Sequence, residues 1–273
     1  MAEKMDPKTF EDIRKFIYEK SGIFFEKNKE YLLVNRLKKR LDALKMSTFE
    51  EYLRYIKSPS GAKEMTNLFD AVTINETYFF RHINQINAFK DSIVPEILKR
   101  KRMMTIWSAA CSSGEEPYTL VIALMEKYGQ NIPARILASD ISNEILEKAK
   151  KGIYGEYSLK ELSLDMKKKY FDNIGPGKYQ IKDFVKRKCV FKNINLTDDR
   201  QLRSIGKMDV IFCRNVLIYF DNTSRQKVID KFYNDILNPG GYLILGATES
   251  ISRLKTKFKL CHFKMAIAYQ KAE

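Results

Sequence analysis

The chain has 273 residues, of which 49 are lysine or arginine and 34 aspartate or glutamate, for a formal net charge of +15 with 44% hydrophobic and 30% charged residues. This composition suits a soluble globular protein with a sizeable core, and it contains no apolar run of about 18 residues and no secretory leader pattern, so a cytoplasmic protein is expected. Cys111, Cys189, Cys213 and Cys261 lie far apart, with only His82 and His262 besides, which speaks against a disulfide framework or a transition-metal site. The positive excess suits a polyanionic partner: nucleic acid, an anionic membrane or an acidic protein.

Residues 7 to 72 read as short helices without a strand pattern. Asp6-Pro7 opens the first, with Phe10, Ile13 and Ile17 on one face and Ser21-Gly22 as its end, because proline suits the first helical position and glycine the left-handed residue that stops a helix. Glu30 to Lys45 follows, with Leu33, Leu37, Leu41 and Leu44 on one side and Arg36, Lys38, Lys39 and Arg40 over the rest. Ser47-Thr48-Phe49-Glu50 has the form of a capping box, and Ser58-Pro59-Ser60-Gly61 separates the helix it opens from a fourth running to Val72. The basic helix is either a solvated face or a docking surface.

Thr73 to Arg81 breaks the helical period. Its aromatics and arginine suit interface packing, or a segment crossing a ligand cleft in which Asn75 and Thr77 supply hydrogen bonds and Arg81 a positive fork. Residues 83 to 102 return to helix and end in Lys99-Arg100-Lys101-Arg102, which complements the helix dipole.

From Met103 the pattern becomes strand, loop, helix: an apolar strand to Trp107, small residues Ser108 to Gly114, and a helix opening at Pro117. Such a unit aims unpaired N–H groups at the loop, although an ordinary turn without a ligand has the same form. Only Gly114 is a glycine there, so the loop lacks the G-x-G-x-x-G run that favours pyrophosphate, and a phosphate-free nucleoside fits better. Ala134 to Asp140 is a strand ending in a carboxylate, where doubly wound folds hold a ribose diol; Asp140 as the cap of the next helix, Ile141 to Lys151, is the alternative.

Past Gly152 the alternation lapses. A helix over Leu159 to Phe171, a turn at Gly175-Pro176-Gly177 and the basic segments Tyr179–Ile181, Phe184-Val185 and Cys189–Phe191 predict a small antiparallel insertion, about residues 172–194. Met208 to Cys213 is a buried strand, followed by Arg214 to Phe220, a helix from Thr223 to Leu237, a stop at Asn238-Pro239-Gly240-Gly241, a strand Tyr242 to Gly246 and a last apolar strand from Lys264 to Gln270. Polar residues just past a strand's carboxyl end lie where open α/β sheets hold ligands.

Together, N-E-T-Y-F-F-R at 75–81, W-S-A-A-C-S-S-G-E-E-P-Y-T at 107–119, A-S-D at 138–140, F-C-R-N-V-L-I-Y-F at 212–220 and N-P-G-G-Y-L at 238–243 resemble the chemotaxis receptor methyltransferases of the CheR type. The likeness spans nearly the whole chain. It implies an α/β, Rossmann-like S-adenosylmethionine-dependent methyltransferase sheet over residues 81–273, after an all-helical, receptor-docking domain over 1–80. It further implies S-adenosyl-L-methionine as cofactor, leaving as S-adenosyl-L-homocysteine, and a monomeric enzyme that makes methyl esters of glutamates on the cytoplasmic helices of methyl-accepting chemoreceptors. No nucleic-acid partner and no membrane insertion are implied.

Carried over by position, the resemblance makes Glu115 the cofactor-contacting acid, with Glu116 the alternative, and lets the methionine part lie against Ala110 and Gly114. Asp140 matches the acid at the ribose, and Asn195 and Leu196 the residues flanking the adenine. Asn75, Thr77 and Arg81 match a lid, Arg81 also facing the transfer site. Arg214 and Asn215 match the strand-end pair, and Tyr219 the tyrosine beside the reacting centre unless it is a core aromatic. Arg36, Lys39 and Arg40 would form the docking face for acidic receptor helices. The loop Asn173 to Lys178 is short against family members that grip a receptor tether there.

A glutamate is already ionised at neutral pH, so the displacement needs in-line positioning and desolvation and no proton abstraction. A nucleic-acid methyltransferase is permitted by the charge, but the strand end at Cys213 to Tyr219 lacks the N-P-P-Y type run used on base amines. A non-catalytic adaptor that keeps the fold is the other alternative.

Overall fold

The computed structural model describes residues 5–273. Four helices come first: α1 (Pro7–Ser21), α2 (Glu30–Leu44), α3 (Phe49–Lys57) and α4 (Glu64–Val72). The Asp6 carboxylate accepts from the backbone N–H groups of Lys8 and Thr9, both at 3.0 Å, and Gly22 ends α1 at φ +73°. Phe10, Ile13, Ile17, Leu33, Leu37, Leu41, Tyr52 and Leu68 form the shared core of this domain. The capping box lies one residue later than predicted: Thr48 caps α3 by accepting from the Glu51 N–H, and Glu51 reaches back to the N–H of Ser47.

At the centre of the helices lies Glu64, only 2% exposed. Its carboxylate accepts from Arg40 Nε at 2.7 Å and Nη2 at 3.0 Å, from Asn67 and from the Tyr52 hydroxyl. Arg40, expected on a docking face, is thus an internal partner. Arg36 donates to the Val72 carbonyl and lies over the Phe25 ring, while Lys38 and Lys39 stay exposed. The period of α2 shows its apolar side; it does not show that a buried carboxylate from α4 claims an arginine at the margin.

Next, α5 (Ile83–Ala88) runs through a wide π turn over Phe89–Ile93 into α6 (Val94–Leu98). Pro95 cannot donate to the preceding turn, and the wide turn ahead of it absorbs the lost bond. The basic residues beyond α6 make specific long-range pairs as well as facing its end: Arg100 with Glu273, and Lys101 with Asp209 at 2.8 Å.

The rest alternates strand and helix: β1 (Met104–Ala109), α7 (Glu115–Tyr128), β2 (Ala134–Asp140), α8 (Asn143–Lys151), β3 (Ile153–Gly155), α9 (Leu164–Tyr170), β4 (Phe171–Gly175), β5 (Lys178–Ile181), α10 (Asp183–Lys186), β6 (Cys189–Asn193), α11 (Asp199–Arg203), β7 (Met208–Cys213), α12 (Asn222–Lys231), β8 (Leu237–Leu245), β9 (Lys259–Phe263) and β10 (Ala266–Gln270). Seven strands form one sheet in the order β6-β2-β1-β7-β8-β10-β9, parallel through β8 and antiparallel at β10 and β9. Apolar side chains cover both faces, one cluster around Ile106, Tyr118, Leu124 and Phe212, the other around Trp107, Ile211, Val228 and Phe232.

Several boundaries differ from the sequence reading. The antiparallel insertion is β3, β5 and β4, which places it at 153–181 and not 172–194. Cys189–Phe191, predicted to lie in it, belongs to β6 and pairs in parallel with β2; Phe184-Val185 is helical, in α10. α9 is shorter than predicted because Ser163 caps it afresh, and β9 was not foreseen. α7 starts at Glu115, ahead of Pro117. Phe79 packs edge-on against Tyr154 and Phe171 in the sheet's core, at ring distances of 4.9 and 5.1 Å.

β1 lies between β2 and β7, so the chain leaves it in opposite directions along the sheet. The carboxyl ends of these three strands open onto one crevice.

Burial works against ionisation of Glu64, but the bonds from Arg40, Asn67 and Tyr52 outweigh it and hold the carboxyl below its usual range. Arg40→Ala is expected to cost about 3 kcal/mol in urea unfolding at neutral pH, by leaving a buried charge unpaired. Because the folded pKa is depressed, the wild type's advantage is present above the unfolded glutamate's pKa and fades as pH falls through the folded one. A variant as stable as wild type would show that Arg40 is free for other contacts.

Candidate functional site

The loop after β1 is wound by three left-handed residues, Ala110 at φ +62°, Ser112 at +50° and Gly114 at +92°. Its shape is held from β2: the Cys111 N–H donates to the Ser139 carbonyl at 2.8 Å, and the Ser112 N–H to Asp140 Oδ2 at 2.9 Å. Asp140 Oδ1 accepts from the Ser142 N–H at 3.1 Å. Burial pushes the Asp140 carboxyl up, while the bonds from Ser142 and Ser112 oppose it. The cap of α8 is Ser142, whose hydroxyl accepts from the Ile145 N–H, so Asp140 is left for the crevice.

Two residues into α7, Glu116 accepts from the Ser108 hydroxyl at 2.6 Å and from Arg214 Nη1 at 3.1 Å. Arg214, the first residue past β7, also donates Nη2 to the Arg81 carbonyl at 2.6 Å, while its buried Nε has no hydrogen-bond partner among the described residues. Burial raises the Glu116 carboxyl and lowers Arg214, each restrained by the other's charge.

The segment Asn75–Arg81 crosses the crevice. The Phe79 N–H donates to the Ser158 carbonyl at 2.9 Å, the Phe80 N–H to Thr119 Oγ1 at 3.0 Å, and the Ser112 hydroxyl to the Asn75 carbonyl at 3.1 Å. Arg81 Nη1 donates to the Glu76 carbonyl at 3.0 Å, so its guanidinium curls over its own segment.

The opposite wall is the turn after β7. Asn215 is left-handed at φ +58°, and a 3-10 turn over Leu217–Tyr219 follows. The carboxylate of Glu249, just past β8, accepts from the N–H groups of Asn215, Gly246 and Ile218. The Tyr219 carbonyl accepts from the Phe24 N–H at 2.8 Å, and Ile23 bridges to Phe220, so the link after α1 joins this wall. Half-burial raises the Tyr219 hydroxyl's pKa, opposed first by Arg36 and then by Arg81.

These walls enclose about 1050 Å³ counting the open mouth, lined by Asn75, Thr77, Arg81, Ala110, Asp140, Asn195, Leu196, Arg214, Asn215 and Tyr219. That unites nearly all of the residues expected to hold a cofactor or act in transfer. Asn195 also donates its amide to the Lys20 carbonyl at 2.6 Å, tying the crevice floor to α1. Two expected residues lie elsewhere. Glu115 points away, its carboxylate taken by the hydroxyls of Ser113 and Ser158, and Glu116 lines the crevice instead. Gly114 faces α8, where a Cβ would come within 2.9 Å of the Ala149 methyl; its positive φ and close packing explain the glycine. Glu249 escaped the sequence reading, since a lone acid after a strand carries no motif.

Two family models match the chain: the one described as CheR methyltransferase, all-alpha domain, over residues 8–73, and the one described as CheR methyltransferase, SAM binding domain, over residues 75–267. Chemotaxis protein methyltransferase 2 of Vibrio cholerae is 38% identical over 262 residues, 94% of this chain and 91% of its own length. The chemotaxis protein methyltransferase of Vibrio parahaemolyticus is 36% identical over 266 residues, 96% of each. Chemotaxis protein methyltransferase 1 of Pseudomonas aeruginosa is 35% identical over 270 residues, 96% of this chain and 97% of its own.

Arg214→Met keeps the volume but strands the Glu116 charge, and an unfolding penalty of about 3 kcal/mol is expected at neutral pH. Without Arg214 the folded Glu116 pKa lies further above its unfolded value, so the penalty is full above the folded pKa and shrinks as pH falls toward the unfolded one. A deficit independent of pH, read by urea titration, would separate the cost from the ion pair.

Proposed function

The chain belongs to the CheR methyltransferase family and is an S-adenosylmethionine-dependent methyltransferase, and from that premise we propose that it methylates glutamate side chains on the cytoplasmic domains of chemoreceptors. The reading places the enzyme in the cytoplasm; no helix among the described residues is long and apolar enough to cross a membrane.

The crevice fits the cofactor. It offers no glycine nest for phosphate, a buried carboxylate at the end of β2, and a buried guanidinium with an unsatisfied Nε. Asp140 would hold the ribose hydroxyls, Asn195 and Leu196 the base, and Glu116 with the Ala110–Ser112 backbone the amino-acid end. Asn75, Thr77 and Arg81 would cover it. When bound, S-adenosyl-L-methionine supplies a methyl group on a sulfonium leaving group.

The observation that carries the choice of acceptor is the presence of Arg81 and Tyr219 together in the lining of the crevice. A fixed cation there draws in an ionised carboxylate and orients it. Tyr219, its pKa raised, keeps its proton and donates a hydrogen bond to that carboxylate. Arg81 is already engaged with the Glu76 carbonyl, which limits how tightly it pairs with the substrate and spares the nucleophile's reactivity. Lys38 and Lys39, exposed on α2, would present charge to an acidic receptor helix, while Arg40 serves the interior.

Arg81→Ala is expected to lower transfer to receptor-bearing membranes by about 100-fold through lost positioning, with S-adenosyl-L-homocysteine still bound. Undiminished methylation by that variant would remove Arg81 from the mechanism. Label transferred by the wild type should come off as methanol in mild base; base-stable label would point to an amine or nucleic-acid acceptor. Reversing Lys38 and Lys39 to glutamate should raise the KM for receptor, most at low salt, with cofactor affinity unchanged.

A further inference from the structure

Glu249 is a carboxylate 7% exposed, without a lysine or arginine within ion-pair distance among the described residues. Oε2 accepts from the Asn215 N–H at 2.6 Å and the Gly246 N–H at 2.7 Å, and Oε1 from the Ile218 N–H at 3.2 Å. Charge-assisted bonds of this kind are about twice as strong as neutral ones. Gly246 is shaped to the same group: a Cβ there would come within 2.6 Å of Oε2. One carboxylate therefore joins the end of β8 to both ends of the turn that runs from Asn215 to Tyr219.

We propose that Glu249 is a positioning residue for methyl transfer, one oxygen fixing the left-handed Asn215 on the cofactor side and the other fixing the Ile218 amide that aims Tyr219 at the acceptor. This rests on the methyl-transfer reading above. The two oxygens serve different parts of the crevice, which gives the proposal a specific signature. In Glu249→Gln, the amide oxygen can keep Asn215 and Gly246, but its NH2 group then opposes the Ile218 N–H, so the damage falls on the Tyr219 side.

The experiment is a double-mutant cycle of Glu249→Gln with Tyr219→Phe, assayed for methyl transfer to receptor-bearing membranes, with S-adenosyl-L-homocysteine binding by calorimetry. Glu249→Gln alone should lower kcat about 10-fold with cofactor affinity held within about 3-fold, and in the Tyr219→Phe background should cost less than about 2-fold more, because residues acting through one another are not additive. Parallel loss of binding and kcat, or additive losses, would overturn the proposal. Should Glu249→Gln fail to fold, Glu249→Asp enters the same cycle with the same non-additivity expected. Amide exchange of the homocysteine-saturated protein supplies a readout that needs no methyl acceptor: exchange should quicken across residues 216–220 and stay unchanged across 110–116. Unchanged exchange at 216–220 sinks the proposal, whereas a wild type inactive on every receptor sinks the functional reading and leaves this result standing.

Discussion

A single guanidinium sets the geometry on which the crevice depends. Arg214 leaves β7 inside the protein, where an unpaired charge would cost several kcal/mol, and its two terminal nitrogens are held by Glu116 from α7 and by the backbone carbonyl of Arg81. Strand end, helix start and crossing segment are thereby placed relative to one another by one side chain. A shift of the helix start or of the crossing segment would cost Arg214 one of these partners.

The parallel sheet and its crevice were readable because their signals are local: apolar runs of strand length, small residues in a βα loop, an acid at a strand end. Asp140 is the clearest case. What escaped depends on partners far apart in sequence. Arg40 reads as a surface charge until Glu64 folds against it. Glu115 and Glu116 are neighbours at a helix start, and only the arrival of Arg214 from almost a hundred residues away decides which faces the crevice. Cys189–Phe191 alternates like an insertion strand, yet the free edge of β2 captures it. Glu249 has no pattern at all; its meaning lies in three backbone N–H groups that the tertiary fold gathers.

Backbone strain follows the same map. Of the seven non-glycine residues with positive φ among the described residues, Ala110, Ser112 and Asn215 line the crevice, and Phe80 and His82 flank its lining residue Arg81. Each costs on the order of 1 kcal/mol or more. The surrounding anchors that offset this are named bonds: Thr119 to Phe80, Asp140 to Ser112, Glu249 to Asn215. The carboxylates of the site therefore act on the backbone as much as on any ligand.

The bridge from Ile23 to Phe220 and the bond from Phe24 to the Tyr219 carbonyl stitch the end of α1 to the tyrosine's own backbone, and Tyr18 and Lys20 add ties to Asp221 and Asn195. The helical domain is thus a built-in part of the crevice wall, encoded first in the chain. Cutting it away would not yield a minimal enzyme, since the exposed edge would lose the floor at Asn195 together with the seat of Tyr219. By the same connection, a displacement of the helices is carried straight into the frame in which the tyrosine is set, so the two domains move there as one piece.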